Sequence, residues 1–244
     1  MDTLPPTTKH RRGRRTARQE RALAAPGEAL VALVDLPKHS AVLGRTPLVL
    51  DVGFGSGEAV IALAEADPDT TIIAVDMHTP GIGDLLASIA ERDISNIRVV
   101  EADVRHVLQH IPTGRLSGAR TFFPDPWPKK RHHRRRLVTT AFAEDLARCV
   151  HAGGYWHLAT DWPDYAIAID ECVSASAAWH GGKISRPAWR SGSPSERPSR
   201  PAWRSGSPSE RPSRPAWRPE TRYERRGRAA GREPIDLWFE RVNT

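Results

Sequence analysis

The segment FFPDPWPK, residues 122–129, combines residue types that could hold a nucleobase. Asp125 lies between two prolines, and because proline fixes its own backbone and restricts the residue before it, the carboxylate is predicted to project from a stiff, non-helical segment. Seven of the eight residues at 130–137 are basic or histidine. A rigid carboxylate and the indole of Trp127 beside this cationic run indicate a site that binds a base while the run binds phosphates. Either half alone would be typical of a stiff turn or a solvated charged run.

A second segment, LDVGFGSG at 50–57, is typical of a turn between a strand and a helix. Its glycines Gly53, Gly55 and Gly57 have no Cβ, so backbone N–H groups can approach a ligand closely. The third glycine comes one residue earlier than in a dinucleotide site, and Asp51 stands two residues before the first. This spacing favours a cationic ligand, such as the amino and sulfonium groups of S-adenosylmethionine, over a pyrophosphate. Taken alone, a glycine-rich turn is also typical of an ordinary tight connection.

Further acidic residues follow the next two predicted strands. Asp76 ends the apolar run 71–75, at the place where doubly wound nucleotide-binding folds hold a ribose diol. Glu101 and Asp103 follow the run 97–100 and are placed to reach an adenine amino group. Each acid alone would be typical of a helix N-cap or a loop. Their succession along the chain indicates a nucleotide site.

The elements that must position these residues alternate along the chain. Apolar periodicity predicts strands at 47–52, 71–76, 97–101, 119–123 and 154–160, and helices at 57–66, 82–92, 103–110, 135–150 and 163–178. Such alternation predicts an α/β fold with a doubly wound, mainly parallel sheet and helices on both faces. Residues 22–36 are predicted to form an interrupted helix, and the arginine-rich residues 1–21 a basic disordered arm.

A low-complexity insertion at 185–218 interrupts the domain that spans 22–244. SRPAWRSGSPSERP occupies 185–198, repeats unchanged at 199–212, and starts again at 213. A 14-residue period is too short for a solenoid, and proline, serine and arginine cannot build a core, so the segment is predicted to be a linker. The tryptophan of each unit could instead stack on unpaired bases.

Charge is unevenly distributed in this chain of net charge +7. Residues 1–21 carry a net +5 and residues 183–232 a net +10, whereas 22–182 carry a net −6. An acidic centre with basic flanks is typical of an enzyme that binds a polyanion and a cationic cofactor, although basic tails can also simply increase solubility.

The sequence shows none of the patterns typical of disulfide-rich, metal-binding, secreted or membrane-spanning proteins. The two cysteines form no disulfide framework and have no metal-site spacing, the N-terminus lacks the apolar region of a signal peptide, and no apolar run approaches the ~18–20 residues that span a membrane. We therefore expect a cytoplasmic protein with no metal ion and no membrane partner.

Six segments of the chain together resemble, in order, those of the bacterial tRNA (guanine-N7)-methyltransferases, a family of class I methyltransferases that use S-adenosylmethionine. They are LDVGFGSG, AVDMHTPG, FFPDPWPKKRH, HLATDWPDYA, TRYERRG and IDLWFERV, within residues 47–182 and 220–242. The resemblance implies a seven-stranded Rossmann-like sheet with a C-terminal antiparallel hairpin, one strand of which is 235–242. It also implies methyl transfer to N7 of guanine in tRNA, at guanine 46 of the variable loop, by a monomer or homodimer.

Site residues follow from the same resemblance. It implies cofactor contacts for Asp51, Gly53, Gly55, Gly57, Asp76, Asp103 and Asp125. Asp125 is also the implied catalytic residue. It implies tRNA contacts for Lys129, Asp161, Thr221, Arg222, Tyr223 and Glu224, and the arginines at 131–136 are expected to hold the RNA backbone. The family commonly has Glu at positions 51 and 76 and Lys at 222, so cofactor affinity is expected to differ.

Guanine N7 already carries a nucleophilic lone pair, so the expected chemistry requires alignment and a negative charge more than acid–base catalysis. An ionised Asp125 would supply that charge at the edge of the base. Two alternatives remain at this point: a class I methyltransferase acting on another RNA or a small molecule, and a non-catalytic tRNA-binding protein with a degenerate cofactor pocket.

Overall fold

The computed structural model describes residues 15–38, 46–183 and 218–243. The predictions for residues 1–14, and for the repeats from 185 to 217, lie outside the described residues.

The described strands form one sheet in the order β3-β2-β1-β4-β5-β7-β6. They are β1 (Leu48–Val52), β2 (Thr71–Asp76), β3 (Ile97–Glu101), β4 (Leu116–Phe122), β5 (Val150–Thr160), β6 (Trp179–Lys183) and β7 (Ile235–Arg241). Strands β1 to β5 are parallel, whereas β7 runs antiparallel to both β5 and β6. The prediction of a mainly parallel, seven-stranded α/β sheet with a C-terminal antiparallel hairpin is confirmed.

Helices cover both faces of this sheet. They are α1 (Ala17–Ala24), α2 (Glu58–Ala66), α3 (Thr79–Arg92), α4 (Val104–His110), α5 (Thr140–Cys149), α6 (Pro163–Ser174) and α7 (Arg222–Ala229), with 3₁₀ turns at Gly27–Ala29, Leu33–Asp35 and Lys130–Arg135. One apolar cluster joins α4, α5 and α6 to the sheet, and a second joins α2 and α3. All five residues of β1 are buried, as expected of a central parallel strand covered on both faces. Within the described ranges, no helix is long and apolar enough to cross a membrane.

The disordered arm predicted at 1–21 is wrong for its last residues, because α1 begins at Ala17. Thr16 and Gln19 form a reciprocal capping box that satisfies the first backbone N–H groups of the helix. Arg18 then pairs with Glu91 at 2.7 Å and with Asp84 at 3.4 Å on α3. The helix predicted at 22–36 gives way after Ala24 to two 3₁₀ turns.

The sequence also misplaced the start of α5 and did not locate β6. The helix predicted at 135–150 begins only at Thr140, because the Thr139 side chain caps it by accepting from Phe142 N, and the basic run before it forms a 3₁₀ turn. The position of β6, the other strand of the expected hairpin, was not predicted, since its two glycines carry no strand signal. A Cβ at Gly181 would collide with the carbonyl oxygen of Trp238, so the close pairing of β6 with β7 requires glycine there.

Candidate active site

The glycine turn lies between β1 and α2, at the carboxyl end of the central strand. Gly53, Gly55 and Gly57 have φ angles of 73°, 61° and 81°, in the left-handed region that glycine adopts without a Cβ penalty. Gly53 N donates to Val75 O at 2.8 Å, and Gly55 N donates to the Asp76 carboxylate at 2.9 Å. The turn is thereby tied to the end of β2.

Asp76 accepts two more backbone hydrogen bonds, from Met77 N at 2.7 Å and His78 N at 2.9 Å. Burial raises the pKa of this carboxyl above its usual value, and the N–H groups of Gly55 and His78 oppose the shift. A carboxylate has about four lone-pair positions, so three backbone donors leave capacity for a ligand hydroxyl.

Asp51 is the most deeply buried acid of this turn, at 4% exposed. Its Oδ2 has no hydrogen-bond partner among the described residues, and its side chain lines a cavity together with Phe122 and Tyr223. Burial raises the pKa of Asp51 to about 7, while the neighbouring Arg120 guanidinium acts to lower it. A buried acceptor at a cavity wall fits an ammonium group, so these residues fit the cationic end of S-adenosylmethionine.

Asp103 and Glu101 follow β3 at the same edge of the sheet. Asp103 caps α4 by accepting from Arg105 N, and its carboxylate pairs with the Arg105 guanidinium at 2.5 Å. Burial acts to raise the pKa of Asp103, but hydrogen bonds and charge from Arg105 lower it overall, so the group is ionised. Glu101 accepts a hydrogen bond from Thr79 Oγ1 at 2.7 Å.

A row of buried polar residues continues from Asp51 across the sheet. Arg120 on β4 lies in register with Asp51 on one side and with His157 on the other. The His157 Nε2–H donates to Asp236 Oδ1 at 2.7 Å, and Arg218 Nε donates to the same oxygen at 2.8 Å. Burial lowers the pKa of His157, so the ring is neutral and the positive charge beside Asp236 comes from Arg218.

Helix α7 extends this row to the cavity. Arg218 is fully buried and donates to Glu224 Oε2 at 2.7 Å, and the Thr221 side chain caps the helix by accepting from Glu224 N. Tyr223 covers the glycine turn, since a Cβ on Gly55 would lie 3.2 Å from Tyr223 Cε2. The first turn of α7 therefore forms one wall of the cavity that contains Asp51.

The residues with implied tRNA contacts have different surroundings. Lys129, Arg222 and Tyr223 are exposed. Asp161 and Glu224, by contrast, have intramolecular partners: Asp161 pairs with Arg232 at 2.7 Å and lies against Gly227, and Glu224 is 1% exposed. The structure therefore brings only part of this set to the surface.

The FFPDPW segment follows β4, which neighbours β1 in the sheet. Asp125 is exposed, and the residues two positions before and after it, Phe123 and Trp127, have φ angles of 54° and 43°. The Arg135 guanidinium carbon lies 4.9 Å from the Trp127 ring, and His132 meets that ring edge-on. Strand order reverses between β1 and β4, which is where open α/β sheets bind ligands.

Comparison with known proteins decides the family. A family model described as "Putative methyltransferase" matches residues 45–180. A tRNA (guanine-N(7)-)-methyltransferase of Alkalilimnicola ehrlichii is 43% identical over 171 residues, which cover 68% of this chain and 72% of that protein. The chain belongs to the bacterial tRNA (guanine-N7)-methyltransferase family.

An Aeromonas hydrophila relative with the same name is 38% identical over 189 residues, 74% of this chain and 80% of that protein. One from Paenarthrobacter aurescens is 42% identical over 163 residues, which cover 62% of this chain and only 54% of that protein.

Solved structures with low identity show the methyltransferase fold alone. The aminoglycoside resistance methyltransferase NpmB1 has a TM-score of 0.53 at 16% identity, over 84% of this chain and 93% of that chain. A 16S rRNA (adenine(1408)-N(1))-methyltransferase from Catenulisporales acidiphilia has a TM-score of 0.50 at 12% identity, over 85% of this chain and 91% of that chain. Both agree with the Rossmann-like topology of this family member.

Sequence reasoning missed three arginines of this site. Arg120 is the one basic residue of β4, a largely buried strand, and a buried guanidinium indicates that an acid lies nearby. Arg218 ends the third repeat, whose composition gave no sign that its last residue is buried. Arg136 was grouped with the phosphate-binding run, but it turns inward and is 8% exposed.

Proposed function

We propose that this protein transfers the methyl group of S-adenosylmethionine to N7 of a guanine in tRNA, at guanine 46 of the variable loop. The proposal rests on one observation: Asp51, whose buried Oδ2 has no partner among the described residues, lines the same cavity as Phe122 and Phe123, which lead into the segment that holds Asp125. Membership of the tRNA (guanine-N7)-methyltransferase family supports the same reaction.

The cofactor-binding residues in this proposal are Asp51, Gly53, Gly55, Gly57, Asp76, Asp103 and Asp125. Asp51 accepts from the amino group, the backbone of the glycine turn lies along the ligand, and Asp76 accepts from the ribose hydroxyls. Asp103, which is ionised beside Arg105, faces the adenine. The bound cofactor supplies an electrophilic methyl group on a sulfonium.

Asp125 is the catalytic residue in this proposal. Its carboxylate accepts hydrogen bonds from N1–H and the exocyclic amino group of the target guanine. This holds N7 in line and places a negative charge where the purine becomes cationic. No proton has to leave N7, so an ionised carboxylate at an exposed position is the appropriate species.

tRNA binding involves two kinds of residue. Lys129, Arg222 and Tyr223 are exposed, and the last two also line the cavity, so in this proposal they contact the RNA directly. Thr221 and Glu224 fix the first turn of α7, and Asp161 holds Arg232 and packs against Gly227, so these three place the contacting residues. Sequence-independent affinity comes from the basic segments, and cytoplasmic tRNA is the expected partner.

To test this function, the protein is incubated with total tRNA and with cofactor that carries a tritiated methyl group. The modified base is then located by aniline cleavage at N7-methylguanosine. We expect label in tRNA and cleavage at position 46. Label at another base, in ribosomal RNA only, or nowhere would favour another RNA methyltransferase or a binding protein and would refute the proposal.

A further inference from the structure

Arg136 differs from the other basic residues of its run. It is 8% exposed, whereas Lys129, Lys130 and Arg134 are exposed. An arginine that contacts RNA phosphates must reach the surface, so Arg136 requires another explanation.

The guanidinium of Arg136 has directional partners within the protein. Its Nε donates to the carbonyl oxygen of Pro126 at 2.9 Å, and its Nη2 donates to Asp164 Oδ2 at 2.6 Å. Its central carbon also lies 4.7 Å from the centre of the Tyr165 ring. Tyr165 is itself fully buried, and its hydroxyl accepts from Val138 N at 3.3 Å. Arg136 therefore joins a fixed platform to the backbone of the FFPDPW segment.

The Pro126 carbonyl belongs to the residue directly after Asp125. The segment that carries it has Phe123 and Trp127 at positive φ, a conformation that is strained for bulky residues and persists only where the surroundings impose it. A guanidinium bonded to the middle of this segment opposes its relaxation. This hydrogen bond therefore anchors the backbone directly after Asp125.

We propose that Arg136 is a positioning residue that holds the segment 123–127 so that Asp125 meets the target guanine, and that it does not bind tRNA phosphate. This rests on the proposed function of Asp125. Arginine is required because its planar fork reaches two acceptors while its face lies on an aromatic ring, which the point charge of lysine cannot reproduce.

Three variants separate positioning from phosphate binding: Arg136→Ala, Arg136→Lys, and the matched control Arg134→Ala two residues away. We expect both Arg136 variants to slow single-turnover methylation at saturating tRNA by about 10- to 100-fold, the size of effect of a misplaced catalytic group. Their tRNA affinity and its salt dependence should stay close to wild type. Arg134→Ala should show the reverse, with weaker binding, a salt slope lower by up to about 0.9, and a smaller change in rate.

A further variant, Asp164→Ala, is expected to change methylation rate and tRNA affinity differently under the two roles of Arg136. Its side chain is 71% exposed, so the substitution is expected to be tolerated by the fold. Loss of this acceptor loosens Arg136, so a positioning role predicts slower methylation, whereas a phosphate-binding role predicts tighter tRNA binding without a rate loss. Melting temperature and S-adenosylhomocysteine affinity, measured for every variant, detect any general damage.

Wild-type rates in Arg136→Lys, together with a reduced salt slope in Arg136→Ala, would overturn the inference and make Arg136 a phosphate ligand. A wild-type protein that methylates no tRNA guanine would refute the proposed function itself, and this inference with it. The two failures are therefore distinguishable.

Discussion

Asp51 and Asp125 have the same side chain in opposite surroundings. Asp51 is 4% exposed within a central strand, with Arg120 in register beside it, whereas Asp125 is exposed on a proline-stiffened segment. Burial makes the ionised form of Asp51 costly even beside Arg120, so its charge is coupled to the binding of a further cation. Exposure leaves Asp125 free of that desolvation cost.

The first prediction concerns pH. Because the folded-state pKa of Asp51 is raised to about 7, the carboxyl is protonated in the free protein below that pH, and an ammonium ligand must displace the proton. Affinity for S-adenosylhomocysteine should be about tenfold weaker at pH 6 than at pH 8 by this linkage, measured by calorimetry. Asp51→Asn should bind weakly at both pH values, and equal wild-type affinities would contradict the account.

The same shift sets the contribution of Asp51 to stability in the ligand-free protein. With a folded-state pKa above the unfolded value, this contribution is fully present below the ordinary pKa of 3.8 and is lost as pH rises towards about 7. Asp51→Asn should therefore remove part of the decrease in unfolding free energy between pH 4 and pH 7. Urea unfolding at both pH values checks this, and an unchanged pH dependence in the variant would count against it.

The second prediction is that Asp125→Asn abolishes most methylation while the protein stays folded. Asparagine keeps the size and one acceptor but removes the charge that stabilises the developing purine cation. Loss of one such contact typically lowers the rate by ~10²–10³. Single-turnover rates and melting curves test this, and a rate within threefold of wild type would remove Asp125 from the mechanism.

At the scale of elements, α7 is held to the sheet by buried charges. Arg218 donates to Asp236 on β7 and to Glu224 on α7, and its guanidinium lies 5.6 Å from the rings of Phe122 and Phe123 at the end of β4. One side chain thus fixes the helix that covers the glycine turn.

The third prediction is that Arg218→Met lowers the free energy of unfolding by about 3–5 kcal/mol, because it leaves the buried Asp236 without its guanidinium partner and Glu224 with only the partly exposed Arg228. The control is Arg225→Met, whose pair with Glu58 is 51% and 44% exposed and should contribute less than ~1 kcal/mol. Chemical denaturation measures both. Similar losses for the two variants would show that the buried cluster has no special role in stability.

The sequence predicted some of these elements well and others not at all, according to whether they carry a local apolar pattern. The apolar runs of β1, β2 and β3 gave nearly correct bounds, since buried parallel strands are continuously apolar. Strand β6 gave no signal, because its pairing depends on glycine and on a distant partner strand. The burial of Arg136 and Arg218 could not be predicted from the sequence either, because in an arginine-rich run only tertiary contacts decide which guanidinium is buried.

At the scale of the whole molecule, the connection from β6 to α7 contains 34 residues between Lys183 and Arg218, most of them in the repeats. The fourth prediction is that removing residues 185–212 leaves stability nearly unchanged. Because each doubling of loop length costs only ~0.6 kcal/mol, the shorter connection should raise the free energy of unfolding by no more than about 1.5 kcal/mol.

The deletion keeps the final SRPAWR unit and therefore Arg218, but removes a net charge of +4. Turnover should be retained, and affinity for tRNA should fall modestly through the lost charge. Melting curves and binding at two salt concentrations check both effects. A large fall in melting temperature would mean that the repeats contribute to packing.

Methyl transfer to N7 of a tRNA guanine can be tested by replacing that nitrogen atom. A tRNA transcript made with 7-deazaguanosine in place of guanosine keeps the Watson–Crick edge of every guanine but has carbon where N7 should be. We expect rapid transfer of tritium from the cofactor to the normal transcript and none to the deaza transcript, although both bind the protein. Undiminished labelling of the deaza transcript would show that another atom is methylated and would contradict the account.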